Sequence, residues 1–207
     1  MPKGYWIPQI DVSNPEGYKA YMAATPPVHQ KYGGVALVRG GRSEIVEGRG
    51  RGRIVVRQFP DYAAAHAAYR SAEYQSARQL RLPHSACDFL IVEGFGDEQA
   101  AAPAAAAGRK GYWIAQIDVV EPEGYQAYVA ALPEVVGKFD ARFLVRGGTQ
   151  EVAEGRARAR SAVLEFPSFA AARDCYHSAA YEPLKKLRAG KAEVDLIIAE
   201  GYDGAPF

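Results

Sequence analysis

Residues 5–12 alternate: Trp6, Ile10 and Val12 fall on one side, and Tyr5, Ile7, Gln9 and Asp11 on the other, which is the period of a strand with two different environments. Asn14-Pro15-Glu16 then supplies a capping side chain, a proline suited to the first helical position and an acid for the first turn. The pattern predicts a helix from there to about Gln30, with Tyr18 and Tyr21 on one face, stopped by Gly33-Gly34. Residues 35–38 and 54–59 are β-rich runs on either side of a glycine-rich stretch, so a hairpin is predicted, its turn near Glu47-Gly48. Asp61 after Pro60 caps a second, Ala-rich helix with Tyr69 and Leu80 at apolar positions, and residues 89–92 close the pattern as a short apolar strand.

The whole pattern occurs twice. Gly4-Tyr5-Trp6-Ile7 returns as Gly111-Tyr112-Trp113-Ile114, and the offset 111 − 4 = 107 holds without a gap from residues 4–95 onto 111–202. About half of the paired positions are identical, among them Gln9/Gln116, Asp11/Asp118, Arg39/Arg146 and Glu47/Glu154, so the chain is a tandem duplication. The stretch between the copies is Ala-rich and broken by Pro103, which is linker composition. The organisation expected is a first repeat over 1–96, a linker over 97–110 and a second repeat over 111–207. Each repeat reads β-α-β-β-α-β, the ferredoxin-like motif, whose antiparallel four-stranded sheet carries both helices on one face. The other face is bare. The fold class expected is therefore α+β, two tandem ferredoxin-like repeats whose sheets pack face to face as an intrachain pseudo-dimer.

A hydrophobic fraction of 48% and a charged fraction of 24% belong to a packed protein, not a disordered one. The formal net charge is +1, so no bulk field is present to hold a polyanion; nucleic acid is not an expected partner, whereas a small anion is. No apolar run approaches the roughly 20 residues that cross a bilayer, and Met1-Pro2-Lys3-Gly4 leads straight into strand sequence, so a cytoplasmic location without membrane contact is expected. Cys87 and Cys175 fall at different places in the two copies, which argues against a disulfide. The histidines have no partners at ligand spacing, so neither a metal site nor a cofactor is expected.

Gly-Tyr-Trp-Ile with Asp11 or Asp118, Phe143-Leu144-Val145-Arg146-Gly147-Gly148, Glu154-Gly155, Phe166-Pro167, Cys175-Tyr176-His177-Ser178 and Glu200-Gly201-Tyr202 together resemble the domain-of-unknown-function family 1330, in the dimeric α+β barrel superfamily. The resemblance spans nearly all of both copies. It implies a barrel made from two ferredoxin-like units. Wider relatives include cofactor-independent monooxygenases, muconolactone-type isomerases, dehalogenating or decarboxylating enzymes and haem proteins, so the resemblance implies no single reaction. The copies also differ: Tyr69-Arg70-Ser71 stands where the second copy keeps His177.

Arg39 and Arg146 end apolar strands before Gly-Gly, where a long side chain can reach into a cleft and hold a carboxylate through paired hydrogen bonds. Arg49, Arg51 and Arg53 recur as Arg156, Arg158 and Arg160, a ladder that reads either as an anion site or as a solvated arm paired with Glu44 and Glu47. Asp11 and Asp118 are candidate general bases, or caps and partners of a nearby arginine. Tyr18, Tyr21, Tyr125 and Tyr128 would line a pocket between sheet and helices, and Tyr69 and Tyr176 would protonate or stabilise an anionic intermediate; the other reading is packing at the core rim. His177 is a candidate proton shuttle, and the adjacent Ser178 and its counterpart Ser71 are candidate substrate contacts, against the reading of a surface helical histidine. The function expected is a cofactor-independent enzyme acting by proton transfer (isomerisation, lactone opening or decarboxylation) on a small carboxylated or cyclic catabolic metabolite. The alternatives are a non-catalytic module for a small anionic or aromatic ligand, and a purely structural pseudo-dimer, with further homo-oligomerisation open in each case.

Overall fold

The computed structural model describes residues 1–96 and 108–205, so most of the expected linker lies outside the described residues. In the first half the elements are β1 (Gly4–Val12), α1 (Pro15–Ala24), α2 (Pro26–Lys31), β2 (Val35–Arg39), β3 (Ser43–Glu47), β4 (Arg53–Phe59), α3 (Tyr62–Arg70), α4 (Ala72–Arg81) and β5 (Ser85–Glu93). The second half has β6 (Gly111–Val119), α5 (Pro122–Gly137), β7 (Arg142–Arg146), β8 (Gln150–Glu154), β9 (Arg160–Phe166), α6 (Phe169–His177), α7 (Glu182–Arg188) and β10 (Ala192–Glu200).

The molecule is α+β, two ferredoxin-like halves forming one dimeric α+β barrel. Its two antiparallel sheets run β2-β4-β1-β5-β8 and β3-β10-β6-β9-β7. The predicted antiparallel pairing of residues 35–38 with 54–59 is found, but the single turn near Glu47-Gly48 is corrected, because Ser43–Glu47 forms a further strand. β2 pairs with β4, but β3 leaves its own half and pairs with β10, while β8 pairs reciprocally with β5. Each sheet therefore ends on a strand lent by the opposite repeat. The positive φ of Gly40, Gly41 and Gly48 lets the chain leave and return around β3. At Gly48 a side chain would strike Asp195, and at Gly155 one would strike Asp88 in the same way.

The alternation in β1 sorts two cores. Tyr5 and Ile7 join Val38, Val56, Leu90 and Val92 against Tyr112, Ile114, Leu144, Val163 and Ile197 of the other sheet, so the bare faces conceal each other. Trp6 and Trp113 point the opposite way, under the helices, where their indole N–H groups donate to the Ala65 and Ala172 carbonyls, both at 2.8 Å. The single helix predicted to Gln30 is two helices in the first repeat, because Pro26-Pro27 removes two consecutive backbone donors; α5, with the lone Pro133, continues. The second predicted helix is likewise split, at Ser71 and Ser178. These serines are extended, with ψ 145° and 150°, and each hydroxyl accepts from the backbone N–H three residues on, at Tyr74 and Tyr181.

Candidate functional site

Two equivalent spaces lie between sheet and helices, one per repeat, and they have diverged. In the second repeat a cavity of about 280 Å³ is walled by Trp113, Tyr125, Tyr128, Leu132, Phe143 and Leu164, with Arg146 and Arg160 at its polar side. Arg146 donates from Nη2 to the Val129 carbonyl at 3.1 Å and lies over the rings of Phe143 and Phe95, 4.8 and 5.6 Å from their centroids. Phe95 comes from the first repeat, held by its backbone N–H on the Leu144 carbonyl at 2.9 Å. The Tyr128 hydroxyl shares a hydrogen bond with Tyr181 at 3.1 Å, whereas that of Tyr125 has no hydrogen-bond partner among the described residues. Burial pushes the Tyr125 hydroxyl up, and the cations Arg188 and Arg160 oppose that only in part, so it is a protonated donor at neutral pH. Among the described residues no carboxylate and no imidazole lines it.

The first-repeat space is about 50 Å³, lined by Trp6, Tyr18, Tyr21, His29, Arg39, Arg53 and Arg57 among others. Two substitutions fill it: His29 stands opposite Val136, and Arg57 opposite Leu164. Arg57 donates from Nη1 to the Gly34 carbonyl at 2.7 Å, and burial beside Arg39 pushes it down to about 10. Arg39 donates to the Tyr202 hydroxyl at 3.3 Å, so here too the opposite repeat supplies the rim.

Burial, then Arg57 and Arg39, push His29 down to about 3. Its usual value is near 6.5, so between about pH 6.5 and about pH 3 the unfolded chain takes up a proton that the fold refuses. Stability present above pH 6.5 is thus lost as the pH falls, by at most about 1.4 kcal/mol per pH unit from this group. His29→Val, which installs the second repeat's residue, is expected to flatten that decline. Urea unfolding at several pH values between 7 and 4 checks it, and parallel slopes for the two proteins would contradict it.

The remaining predicted residues lie elsewhere. A polar cavity of about 450 Å³ at one end of the barrel collects four of the ladder arginines, Arg49, Arg51, Arg156 and Arg158, with Gln9, Gln116, Asp11, Asp88, Glu193 and Asp195, while Arg53 and Arg160 reach the helix-side cavities. Arg51 clamps Asp88 at 2.6 and 3.1 Å and reaches Asp11 at 2.8 Å; Arg158 clamps Asp195 at 2.7 and 3.1 Å and reaches Asp118 at 3.1 Å. Asp11 and Asp118 are therefore arginine partners, outside both helix-side cavities. The arm reading that paired the ladder with Glu44 and Glu47 is corrected: Glu44 binds Arg173 at 2.7 Å and Glu47 binds Arg188, both from the opposite repeat. Tyr69 donates to Glu154 at 2.9 Å and Tyr176 to the Val46 carbonyl at 3.3 Å, each onto the exchanged strand. His177 is exposed on α6, 3.8 Å from Glu44, and Ser71 and Ser178 serve as the caps described above. Both cysteines are free, with burial pushing each thiol up to about 12. Among the described residues no group of three His, Cys, Asp or Glu is placed to hold a metal.

The sequence reading missed Phe95 and Tyr202, whose role depends on crossing between repeats, and Asp88 and Asp195. It also missed the filling of the first cavity, although His29/Val136 and Arg57/Leu164 are visible once the copies are aligned.

The family model described as "Domain of unknown function (DUF1330)" matches residues 3–95 and again 110–202. The chain belongs to this family. DUF1330 thus occurs here twice, once per barrel half. No curated protein matches the chain. Among solved structures, a mutant chlorite dismutase from Candidatus Nitrospira defluvii, in complex with cyanide, is 10% identical, with 97% of this chain and 91% of that one covered at a TM-score of 0.57. An anthrone oxidase-like protein is 13% identical, with 98% and 92% covered at a TM-score of 0.51. At such identities the likeness is one of fold. Of the side chains that hold haem iron, the described lining of the second-repeat cavity offers no His, Cys or Met and only the tyrosines Tyr125 and Tyr128. No helix among the described residues is long and apolar enough to cross a membrane.

Proposed function

We propose that the second-repeat cavity of this DUF1330 protein binds a small cyclic or aromatic acid and acts on it by proton transfer. One observation carries the reading: an aromatic cavity of about 280 Å³ with two guanidinium groups and no carboxylate among its described lining residues. Arg146 and Arg160 hold the anionic group, and Trp113, Phe143 and Tyr128 take the ring. Tyr125, with its unpartnered hydroxyl, donates to oxygen or carbon as negative charge develops.

Of the three proton-transfer classes, isomerisation and lactone opening require a general base at the reacting carbon or water, and no carboxylate or imidazole is among the described lining residues. Decarboxylation requires only an electron sink and an acid. The C–C bond to the carboxylate breaks, its electron pair passes to a neighbouring carbonyl oxygen held by the arginines, CO₂ leaves, and Tyr125 protonates the carbon before recovering a proton from water. Asp11, Asp118 and His177 have no part in this scheme. The non-catalytic alternative keeps the same cavity and ligand class without the bond cleavage.

The test is a panel of aromatic and cyclic oxo acids, screened by thermal shift and then assayed for product and CO₂. Arg146→Ala is expected to weaken binding by roughly 10- to 100-fold, the loss of a charge-assisted contact of about 1.5–3 kcal/mol. Tyr125→Phe should leave affinity nearly unchanged and lower turnover by about 10²-fold or more. Stabilisation without product selects the binding module, and a panel that binds no better to the native protein than to Arg146→Ala rejects the site.

A further inference from the structure

The first-repeat space is more than a closed copy of its neighbour. Three guanidinium groups, those of Arg39, Arg53 and Arg57, line it together with His29, and no carboxylate is among its described lining residues. His29 is 6% exposed and its Nδ1 has no hydrogen-bond partner; Arg57 is 4% exposed. Arg53 spends one N–H on the Arg39 carbonyl at 3.1 Å and Arg39 one on Tyr202 at 3.3 Å, neutral acceptors in both cases. Like charges gathered beside a buried imidazole repel one another, and a buried nitrogen without a partner costs about 1–3 kcal/mol. A neutral imidazole can carry its proton on Nδ1 and so act as a fourth donor. Burial first, and the neighbouring cations second, push both His29 and Arg57 below their usual values.

The space is small. About 50 Å³ suits an ion of a few heavy atoms, since one water takes about 30 Å³ in the liquid, and it excludes a ring system. We infer that the first-repeat cavity is a binding site for a compact oxyanion such as phosphate, held by Arg39, Arg53, Arg57 and His29. The second repeat, with Val136 and Leu164 in place of two of these donors, has no such site. One chain then carries an inorganic-anion site and an organic-acid site in equivalent places.

Isothermal titration of the full chain with sodium phosphate, against chloride at matched ionic strength, tests this. A saturable one-to-one heat is expected, with affinity reduced at least tenfold in Arg57→Leu, which copies the second repeat. Arg53→Gln, at the half-exposed rim, should reduce it similarly and decides the matter if Arg57→Leu does not fold. Formate in a parallel titration should compete with phosphate, whereas benzoate, too large for this space, should not; competition by benzoate would move the ion to another cavity and overturn the assignment. The assignment also fails if phosphate gives no heat beyond chloride, or if both variants bind it unchanged.

Discussion

Glu154→Ala is expected to destabilise the protein by about 3–5 kcal/mol, the cost of leaving a buried cation without its partner. Glu154 sits on β8 and crosses to the first repeat, where it meets Arg81, Arg78 at 3.0 Å and the Tyr69 hydroxyl at 2.9 Å. The Arg81 side chain is 1% exposed and that of Glu154 8%, so water cannot take the place of the lost carboxylate. The midpoint of thermal unfolding should fall by roughly 6–20 °C. Joint replacement of Glu154 and Arg81 by methionine should recover much of the loss, because an apolar pair of similar volume removes the stranded charge as well. A single-variant effect under about 1 kcal/mol would show that the contact is solvated in solution. Glu47 and Arg188 repeat the arrangement on the other side, with Glu47 more exposed at 21%, so Glu47→Ala should cost less.

A chain of residues 1–96 alone is expected to be a dimer and not a folded monomer. Without β8 the edge of β5 is unpaired, and Tyr5, Ile7, Val56, Leu90 and Val92 face water where they now face the other sheet. Each such side chain is worth about 1.5–3 kcal/mol when buried, so exposing these five costs an amount comparable to the whole 5–15 kcal/mol stability of a typical domain. Two copies can satisfy one another by exchanging β3 as the native halves exchange β3 and β8. Analytical ultracentrifugation of this fragment, alone and mixed with residues 108–207, checks both points. A monomer with native thermal stability would refute the exchange as a source of cohesion.

Most strand and helix positions were readable because the two periods are local, the exceptions being the strand Ser43–Glu47 and the breaks within the helices. Trp6 and Tyr5 announce opposite faces from adjacent positions, and the bare face follows from counting which sides the helices can cover. The path of β3 was not readable, because a strand with Ile45 exposed and Val46 half-buried carries no mark of which edge it joins. A hairpin and an exchange satisfy the same alternation and the same glycine turns. Arg146, Tyr125 and Tyr128 were legible as pocket residues for a similar reason, since strand end and helix face place them at once. Asp118 and His177 carry the right chemistry, but side-chain type alone does not tell whether a carboxylate is free or clamped by Arg158, nor whether a helix face turns outward.

The unequal cavities have a consequence for stoichiometry. A symmetric assembly of identical subunits must repeat every pocket it possesses, so a mutation that closes one closes all. Joining the halves in a single polypeptide lifts that constraint, and each molecule then carries one cationic niche and one aromatic chamber in a ratio that neither dilution nor expression level can alter.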